Sequence, residues 1–595
     1  WSTLAVGAAA AAIAWRPAWA MVLIVAALPL FDFAPWTGRL LWDEFDLLVA
    51  VALAVAWAHT PAPVAPAPAL WRLGFGLVAL AGVVSAGIAL WPIPPLDANA
   101  LASYHHPFNA LRIAKGLMWA ALLAALWRRL RAAGHDVAPL FAGGMTIGLV
   151  GVVAWVLWER TVFVGWADLG ADYRVTGPFS AMHRGGAFVE CYLAIGAVFA
   201  ARALLVARGT VARVAARALL GAASVALMLT FSRNGYAALA AGLVVFALLR
   251  LRARGPERGR AAAMLALAIA VATAASWPVL RGGYAQERLA HWQRDLGLRS
   301  AHWQDALALR DGSVGTLLFG IGLGRFPQAH FWGSHEPRRA ALLHVGTDTG
   351  QAGGERWLRL GAGALTYLDQ IVHPAAADPH VLTLRLRGRV RSPSLAVSVC
   401  QKWMLTSAVC VQGSVKADEV GAEVWGRVEL MLDLASLRAA GAGRPIKFAL
   451  HAPSAGEAVD VTDLSLRAAD GRELLRNGDF GRGLDGWWLS TDIDPPYHVH
   501  SLPLAVLLEQ GAFGALAWSL LLGSALAAGF GAAMQGRPGA PVAVAALAAF
   551  VVCASVNTLI DDPRFLLLLL LLAWAALVAQ ASSRSGAAAV DDEGR

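Results

Sequence analysis

The sequence predicts a polytopic α-helical membrane protein, with about 12–13 transmembrane helices and one all-β sandwich inserted between them. Three observations carry this. Of 595 residues, 58% are hydrophobic and only 15% charged, whereas soluble proteins average about 25% charged. Mean hydropathy is +0.56, and long apolar runs recur from residue 2 to 250 and again from 502 to 580. Between these runs, residues 340–490 change to short alternating stretches bounded by Gly, Pro, Ser and Asp, the pattern of antiparallel strands.

A helix crosses the hydrocarbon with about 20 apolar residues. Read with that window, spans fall near 2–15, 17–34, 46–60, 70–91, 108–127, 139–158, 183–206, 212–232, 235–250, 261–280, 500–530, 540–560 and 563–580, the first three short. The chain opens at Trp1 rather than methionine, which suggests missing N-terminal residues, so the first run need not be a signal peptide. Arginine collects after the fifth span (Arg128, Arg129, Arg131), between the seventh and eighth (Arg202, Arg208, Arg213, Arg217), and between the ninth and tenth (Arg250, Arg252, Arg254, Arg258, Arg260). Connections rich in arginine stay in the cytoplasm. By parity, residues 281–499 lie on the opposite face.

The chain therefore divides into an N-terminal helix bundle over 1–280 and an extracytoplasmic amphipathic-helix loop over 281–339. The sandwich over 340–492, C-terminal transmembrane helices over 493–582 and a cytoplasmic tail over 583–595 complete it. The amphipathic loop is read from Trp292, Leu296, Trp303, Leu307 and Leu309, which recur at helical spacing. Strands are read from "HVLTLRLRGRV", "SLAVSVC", "AEVWGRVELML", "IKFALHA" and "VDVTDLSLRA".

A formal charge of +9 invites a nucleic-acid partner. Of 49 basic residues, however, only Lys115, Lys402, Lys416 and Lys447 are lysine, and the arginines gather in short loops as topology signals do. No nucleic-acid binding is expected. Cys191 and Cys553 sit in apolar runs as small hydrophobes. Cys400 and Cys410 are spaced to close a short hairpin disulfide on the oxidising side, against the plainer reading of two free thiols.

Metal and nucleotide signatures are lacking: no P-loop, no His-Glu-x-x-His, no Cys-x-x-Cys. No metal site and no cofactor are expected. Gly320-Ile321-Gly322-Leu323-Gly324 reads as a glycine-rich turn, and His105-His106 as a loop pair. What remains is a set of cations and imidazoles near the extracytoplasmic face: Arg174, His183-Arg184, Arg233, Arg288, Arg299, Arg325, His498 and His500. Each alone can be an arginine or histidine at the headgroups. Arg233 resists that account, because Asn234-Gly235 makes the turn unaided and a cation on this side adds nothing to topology. Glu190 is an ionisable group inside an apolar span, a position that faces a bundle interior or cavity.

Fixed cations beside a histidine suit transfer of a glycosyl group from a polyprenyl-diphosphate lipid. The diphosphate leaves with developing charge that arginine neutralises through bidentate donors. A neutral histidine can take the proton of the acceptor hydroxyl.

Four stretches resemble the O-antigen ligase and O-antigen polymerase superfamily. They are "RVTGPFSAMHRGGAFVECYLAIG" at 174–196, "LTFSRNGYAALAAG" at 229–242, "HWQDALALRDGSVGTLLFGIGLGRF" at 302–326 and "HVHSLPLAVLLEQGAFGALAWSLLL" at 498–522. The resemblance runs from about 140 to 580. It implies a bacterial inner-membrane glycosyltransferase acting at the periplasmic face on an undecaprenyl-diphosphate-linked glycan. The acceptor would be another glycan, lipid A–core or a protein. Carried over by position, Arg174 and Arg233 would hold the diphosphate, with Arg184, Arg288 and Arg325 as further candidates. His500 would be the catalytic histidine and His498 its competitor. The chain departs from the family in having His500-Ser501 where members carry His-Asn, and His183-Arg184-Gly185 where they carry His-Pro-Asn.

"LLRNGDFGRGLDGWWLSTD" at 474–492 resembles an edge of galactose-binding-like jelly rolls. That implies glycan binding, with Trp487 or Trp488 as stacking platforms, against a reading of both as core. The competing reading of the whole chain is a lipid-linked glycan flippase with an accessory binder. A flippase favours polar residues spread through its spans, whereas here they gather at one face.

Overall fold

The computed structural model describes residues 2–31, 42–100, 103–166, 168–179, 186–252, 258–336, 339, 342–348, 354–361, 366–374, 379–388, 394–403, 406–416, 423–439, 443–452, 458–491 and 497–581. Ten helices come first: α1 (Ser2–Trp15), α2 (Trp19–Ala27), α3 (Glu44–Ala58), α4 (Ala69–Leu90), α5 (Asn109–Ala132), α6 (Val137–Phe163), α7 (Ala187–Val206), α8 (Thr210–Met228), α9 (Arg233–Arg252) and α10 (Arg258–Leu280). Four shorter ones follow: α11 (Gly283–Ala290), α12 (Trp292–Ala308), α13 (Val314–Phe319) and α14 (Phe326–Gly333). The strands are β1 (Leu342–Asp348), β2 (Glu355–Gly361), β3 (Thr366–Val372), β4 (His380–Gly388), β5 (Ser394–Trp403), β6 (Thr406–Lys416) and β7 (Gly426–Leu432). After α15 (Ala435–Ala439) come β8 (Ile446–His451), β9 (Ala458–Arg467) and β10 (Trp488–Thr491). The chain ends in α16 (Leu502–Glu509), α17 (Gly511–Met534), α18 (Ala540–Ala554) and α19 (Pro563–Ala581).

Eight of these helices (α4 to α9, α17 and most of α19) are long and apolar enough to cross a membrane, and three shorter apolar helices accompany them among the described residues. The protein is a multi-pass helical membrane protein with a separate β domain. Its outward surface agrees: Leu73, Leu80 and Val83 of α4, Ile147 and Val150 of α6, and Leu516 and Leu520 of α17 stand exposed at helical spacing. In water that face would be an aggregation surface. In lipid it is solvated. Toward the centre, α7 is buried continuously from Phe188 to Ala201, and α19 from Phe565 to Ala573.

Against the expected 12–13 spans, eight helices among the described residues have spanning length. α2 has nine residues, about 14 Å of helix at 1.5 Å per residue, against a hydrocarbon core of about 30 Å. α1 and α3 are also below spanning length, with 14 and 15 residues. The single span read over 500–530 is two helices, broken at Gln510–Gly511. Gly511 has a left-handed φ of 67°, and a side chain there would strike the Leu318 backbone at 2.4 Å. The close approach of α13 makes the break, and only glycine tolerates it.

The β domain consists of two antiparallel five-stranded sheets, ordered β1-β2-β9-β4-β7 and β10-β3-β8-β5-β6. On β4, residues alternate strictly between buried and half-buried, the period-2 signature of a strand with one face in a core. Leu382, Leu384 and Leu386 from the first sheet meet Leu395, Val397, Val399 and Phe448 from the second in one apolar cluster. A clamp joins the domain to the loop before α5: Asn99 Nδ2 donates to the Val345 carbonyl at 2.8 Å, and Val345 N–H to Asn99 Oδ1 at 2.6 Å.

Cys400 and Cys410 are directly paired across β5 and β6 and are disulfide-bonded. The bridge closes a loop of sequence separation 10, and chain-entropy arithmetic assigns such a loop about 2–3 kcal/mol. Cys400→Ser is therefore expected to lower the denaturation midpoint of the β domain, read by near-UV circular dichroism, with no change when wild type is already reduced.

Candidate functional site

A cavity of about 300 Å³ opens among the helix ends and their connections. It sits where α7 begins, where α8 turns into α9, and where α18 passes to α19, with α11 and α12 lying across it and residues 498–500 entering from the β domain. These helix ends lie opposite those joined by the arginine-rich connections.

The segment carrying Arg174 is held from α6. Glu159 accepts from Thr176 N–H at 2.8 Å, Gly177 N–H at 2.7 Å and Tyr173 Oη at 2.8 Å. Arg174 Nε then donates to the Thr230 carbonyl at 2.7 Å, tying this segment to the α8–α9 turn. The Ser-Arg-x-Gly sequence has a physical reason at each position. Ser232 Oγ accepts from Gly235 N–H at 3.2 Å, capping α9. At Gly235 a Cβ would come within 3.0 Å of Glu190, so glycine lets α9 lie against α7. Between them Arg233 projects across the cavity, donating from Nη1 to the Arg288 carbonyl at 2.9 Å and from Nη2 to Asp295. Arg288 pairs with the same Asp295 at 3.3 Å.

Arg299 completes the cationic wall from α12, donating to the Val556 carbonyl. Burial pushes its guanidinium below the usual range, with Glu190 opposing that shift. Glu190 itself accepts from Asn557 Nδ2 at 3.0 Å. Four guanidiniums (Arg174, Arg233, Arg288, Arg299) thus face three carboxylates (Glu190, Asp295, Asp561) around one cavity. Trp292 and Leu296 stand half exposed on its rim.

Both histidines reach the cavity. His498 Nδ1 is bonded to Asp561. His500 lies with its ring centroid 6.1 Å from that of His498 and 5.4 Å from that of His302. Burial holds its ring well below the ordinary imidazole range, reinforced by His498, His302 and Arg299. Its backbone is left-handed, φ 56°, as is that of Leu559 in the facing wall, φ 57°. Such conformations cost a non-glycine residue about 1 kcal/mol or more and persist where surrounding structure enforces them. A second, small cavity shares His498, Thr558 and Asp561 with the first and continues toward Tyr104, Asn109 and Arg112.

Of the residues singled out from sequence, Arg174, Glu190, Arg233, Arg288, Arg299, His498 and His500 converge here. Arg184, with His183, lies outside the described residues. Arg325 precedes α14 beside His106 and is not among the residues lining the cavity. Trp487 is corrected. It is 6% exposed, packed on Phe448 and Phe480, with its indole N–H donated to the Asn477 carbonyl, so it is core and offers no stacking face. Trp488, one residue on, is 49% exposed on the edge strand β10. Asp295 and Asp561 went unnoticed in the sequence. Asp561-Asp562 immediately before an apolar run was a signal for the second; Asp562 caps α19 through Arg564 N–H at 2.8 Å, leaving Asp561 for the cavity.

The glycine-rich turn is a docking strip between helices. Ile321 N–H donates to the Leu508 carbonyl at 2.9 Å, Gly322 N–H to that of Glu509 at 3.1 Å, and Leu323 N–H to that of Ser85 at 3.1 Å. Gly322 has φ 107°, and a Cβ there would meet the Ala89 backbone at 2.8 Å. Gly322→Val is expected to cost about 3 kcal/mol or more from backbone strain and overpacking. The readout is loss of the monodisperse peak in detergent size-exclusion chromatography.

No family model matches the chain, and no curated protein matches it.

Proposed function

We propose that the protein is a membrane glycosyltransferase that moves an undecaprenyl-diphosphate-linked glycan to an acceptor hydroxyl at the periplasmic face of a bacterial inner membrane, as an O-antigen or exopolysaccharide polymerase or ligase. One observation carries the reading: a cavity at the helix ends combines four guanidiniums, an Asp-held histidine and an apolar rim. A diphosphate with a polyprenyl tail has the matching halves. The tail lies along Trp292 and Leu296 toward lipid, and the diphosphate meets Arg174, Arg233 and Arg288.

Asp295 pairs with both Arg233 and Arg288. The diphosphate replaces that carboxylate as their partner. The acceptor oxygen attacks the anomeric carbon, the bond from that carbon to the diphosphate oxygen breaks, and the negative charge departs onto a group already facing cations. The hydroxyl proton passes to a histidine. His498 is favoured for this, because Asp561 on Nδ1 orients the ring and stabilises the imidazolium, and because His498 stands where the two cavities join. His500, named first by the resemblance, lies beside it. The acceptor, a glycan, lipid A–core or a protein, approaches from the periplasmic face, and the sandwich presents glycan from Trp488.

Deleting the gene and resolving surface polysaccharide by gel tests the class. Loss of long chains with single-repeat caps retained indicates a polymerase, and bare core with accumulated lipid-linked polymer indicates a ligase. Unchanged polysaccharide sinks the reading, and lipid-linked glycan stranded in the cytoplasmic leaflet replaces it with a flippase.

A further inference from the structure

Behind the two cavity histidines lies a group of side chains that the transfer chemistry does not use. His302 of α12, His330 of α14 and Glu336, three residues beyond α14, bring one ligand atom each to within 4.8 Å of one another. His302 Nδ1 is 3.0 and 2.9 Å from the two Glu336 oxygens, and His330 Nε2 is 3.0 Å from Oε2. His302 and His330 are buried, while the Glu336 carboxylate is partly open, at 24% exposed. Nothing in the sequence marks the trio, because its members are 28 and 6 residues apart and fit no ligand motif.

Hydrogen bonding decides which nitrogen of His302 faces the carboxylate with a lone pair. Its Nε2 lies 3.0 Å from the His498 carbonyl, which can only accept, so Nε2 carries the hydrogen. In the neutral ring Nδ1 is then unprotonated and points at the Glu336 oxygens. Lone pair against carboxylate is repulsive unless a proton on Nδ1, which makes the ring an imidazolium paired with Glu336, or a metal cation lies between them. The opposite ring nitrogen bound to a backbone carbonyl is the arrangement that orients metal-ligating imidazoles. Two imidazoles and one carboxylate are also the ligand set of many three-residue zinc sites.

We propose that His302, His330 and Glu336 bind one divalent cation of the zinc class. Bonds of about 2.0–2.2 Å in tetrahedral geometry place ligand atoms about 3.4 Å apart. The histidine–Glu336 contacts, at 2.9 to 3.0 Å, therefore open by a few tenths of an ångström to admit the ion, with Glu336, the exposed member, giving way. The fourth position is open to water, and an oxygen of Asp305 stands 4.0 Å from His330 Nε2. The ion bolts α12 to α14 and, through the His302 hydrogen bond, fixes the carbonyl of His498. The neighbouring Trp303 indole donates to the His500 carbonyl at 3.2 Å, so the same stretch of α12 holds both cavity histidines. That positioning role rests on the function proposed above; the binding of the ion does not.

The test uses the full chain in detergent, carrying an affinity tag without histidine and purified from zinc-supplemented cells. Mass-spectrometric metal analysis is expected to find zinc equimolar with protein. After chelator stripping, titration with zinc chloride is expected to restore it. Removing a direct ligand costs at least the roughly 10- to 100-fold loss that follows loss of an outer partner, so Glu336→Gln is expected to weaken zinc binding at least that much. This variant keeps a hydrogen-bonding group of the same shape, which separates lost binding from lost folding, and His335→Ala, at an exposed neighbour, keeps full binding. Stripped wild type that takes up no zinc, or Glu336→Gln that binds as wild type does, overturns the proposal. Zinc bound by a chain without transferase activity leaves this site standing and removes the function.

Discussion

Arg233→Ala is expected to lower glycan transfer about 10²- to 10³-fold, the loss that follows removal of one charge-stabilising donor from a preorganised site. Folding is expected to survive. Arg233 sits at the N-terminus of α9, where a cation is electrostatically unfavourable to the helix, so α9 itself gains nothing from its charge. Its removal leaves Asp295 paired with Arg288 at 3.3 Å, and no carboxylate is orphaned. Arg233→Lys restores the charge but not the fork that spans the Arg288 carbonyl and Asp295, and is expected to fall between alanine and wild type. Consumption of a synthetic lipid-linked donor by protein in proteoliposomes measures all three. Equal rates for wild type and alanine at equal protein would remove Arg233 from the site.

The second large effect falls on the Asp-held histidine. His498→Ala is expected to slow transfer by about 10²- to 10⁴-fold, the range of a lost general base. Asp561→Asn is expected to approach it, because an amide in place of the carboxylate no longer stabilises the imidazolium and favours the wrong tautomer. Donor KM should stay close to wild type in both, since the guanidiniums are untouched. His500→Ala separates the two histidines. A kcat loss at His500 exceeding that at His498 by tenfold or more would move the proton acceptor to His500, and insensitivity to Asp561→Asn would remove the dyad.

Two further positions show how far local pattern reaches. The span at 500–530 is apolar throughout and reads as one helix, yet it breaks at Gly511 because the Leu318 backbone occupies the space a side chain would need. Trp487 and Trp488 are adjacent and chemically identical, so sequence cannot separate a core indole from an edge one. Strand register does, turning Trp487 onto Phe448 and Phe480 and Trp488 outward.

Composition and periodicity alone determine that this is a helical membrane protein with a β domain between its spans. Both follow from how residues partition between solvents, which depends on the residues themselves and their nearest neighbours. The arginines and histidines were also visible as residues without a topological use. Their partners were not. Asp295 meets Arg233 across 62 residues, Asp561 meets His498 across 63, and Glu336 meets His302 across 34. Ionic and metal-ligating contacts act over a few ångströms and carry no memory of chain separation. Which carboxylate faces which cation is decided by how the helices pack, and only the tertiary structure contains that.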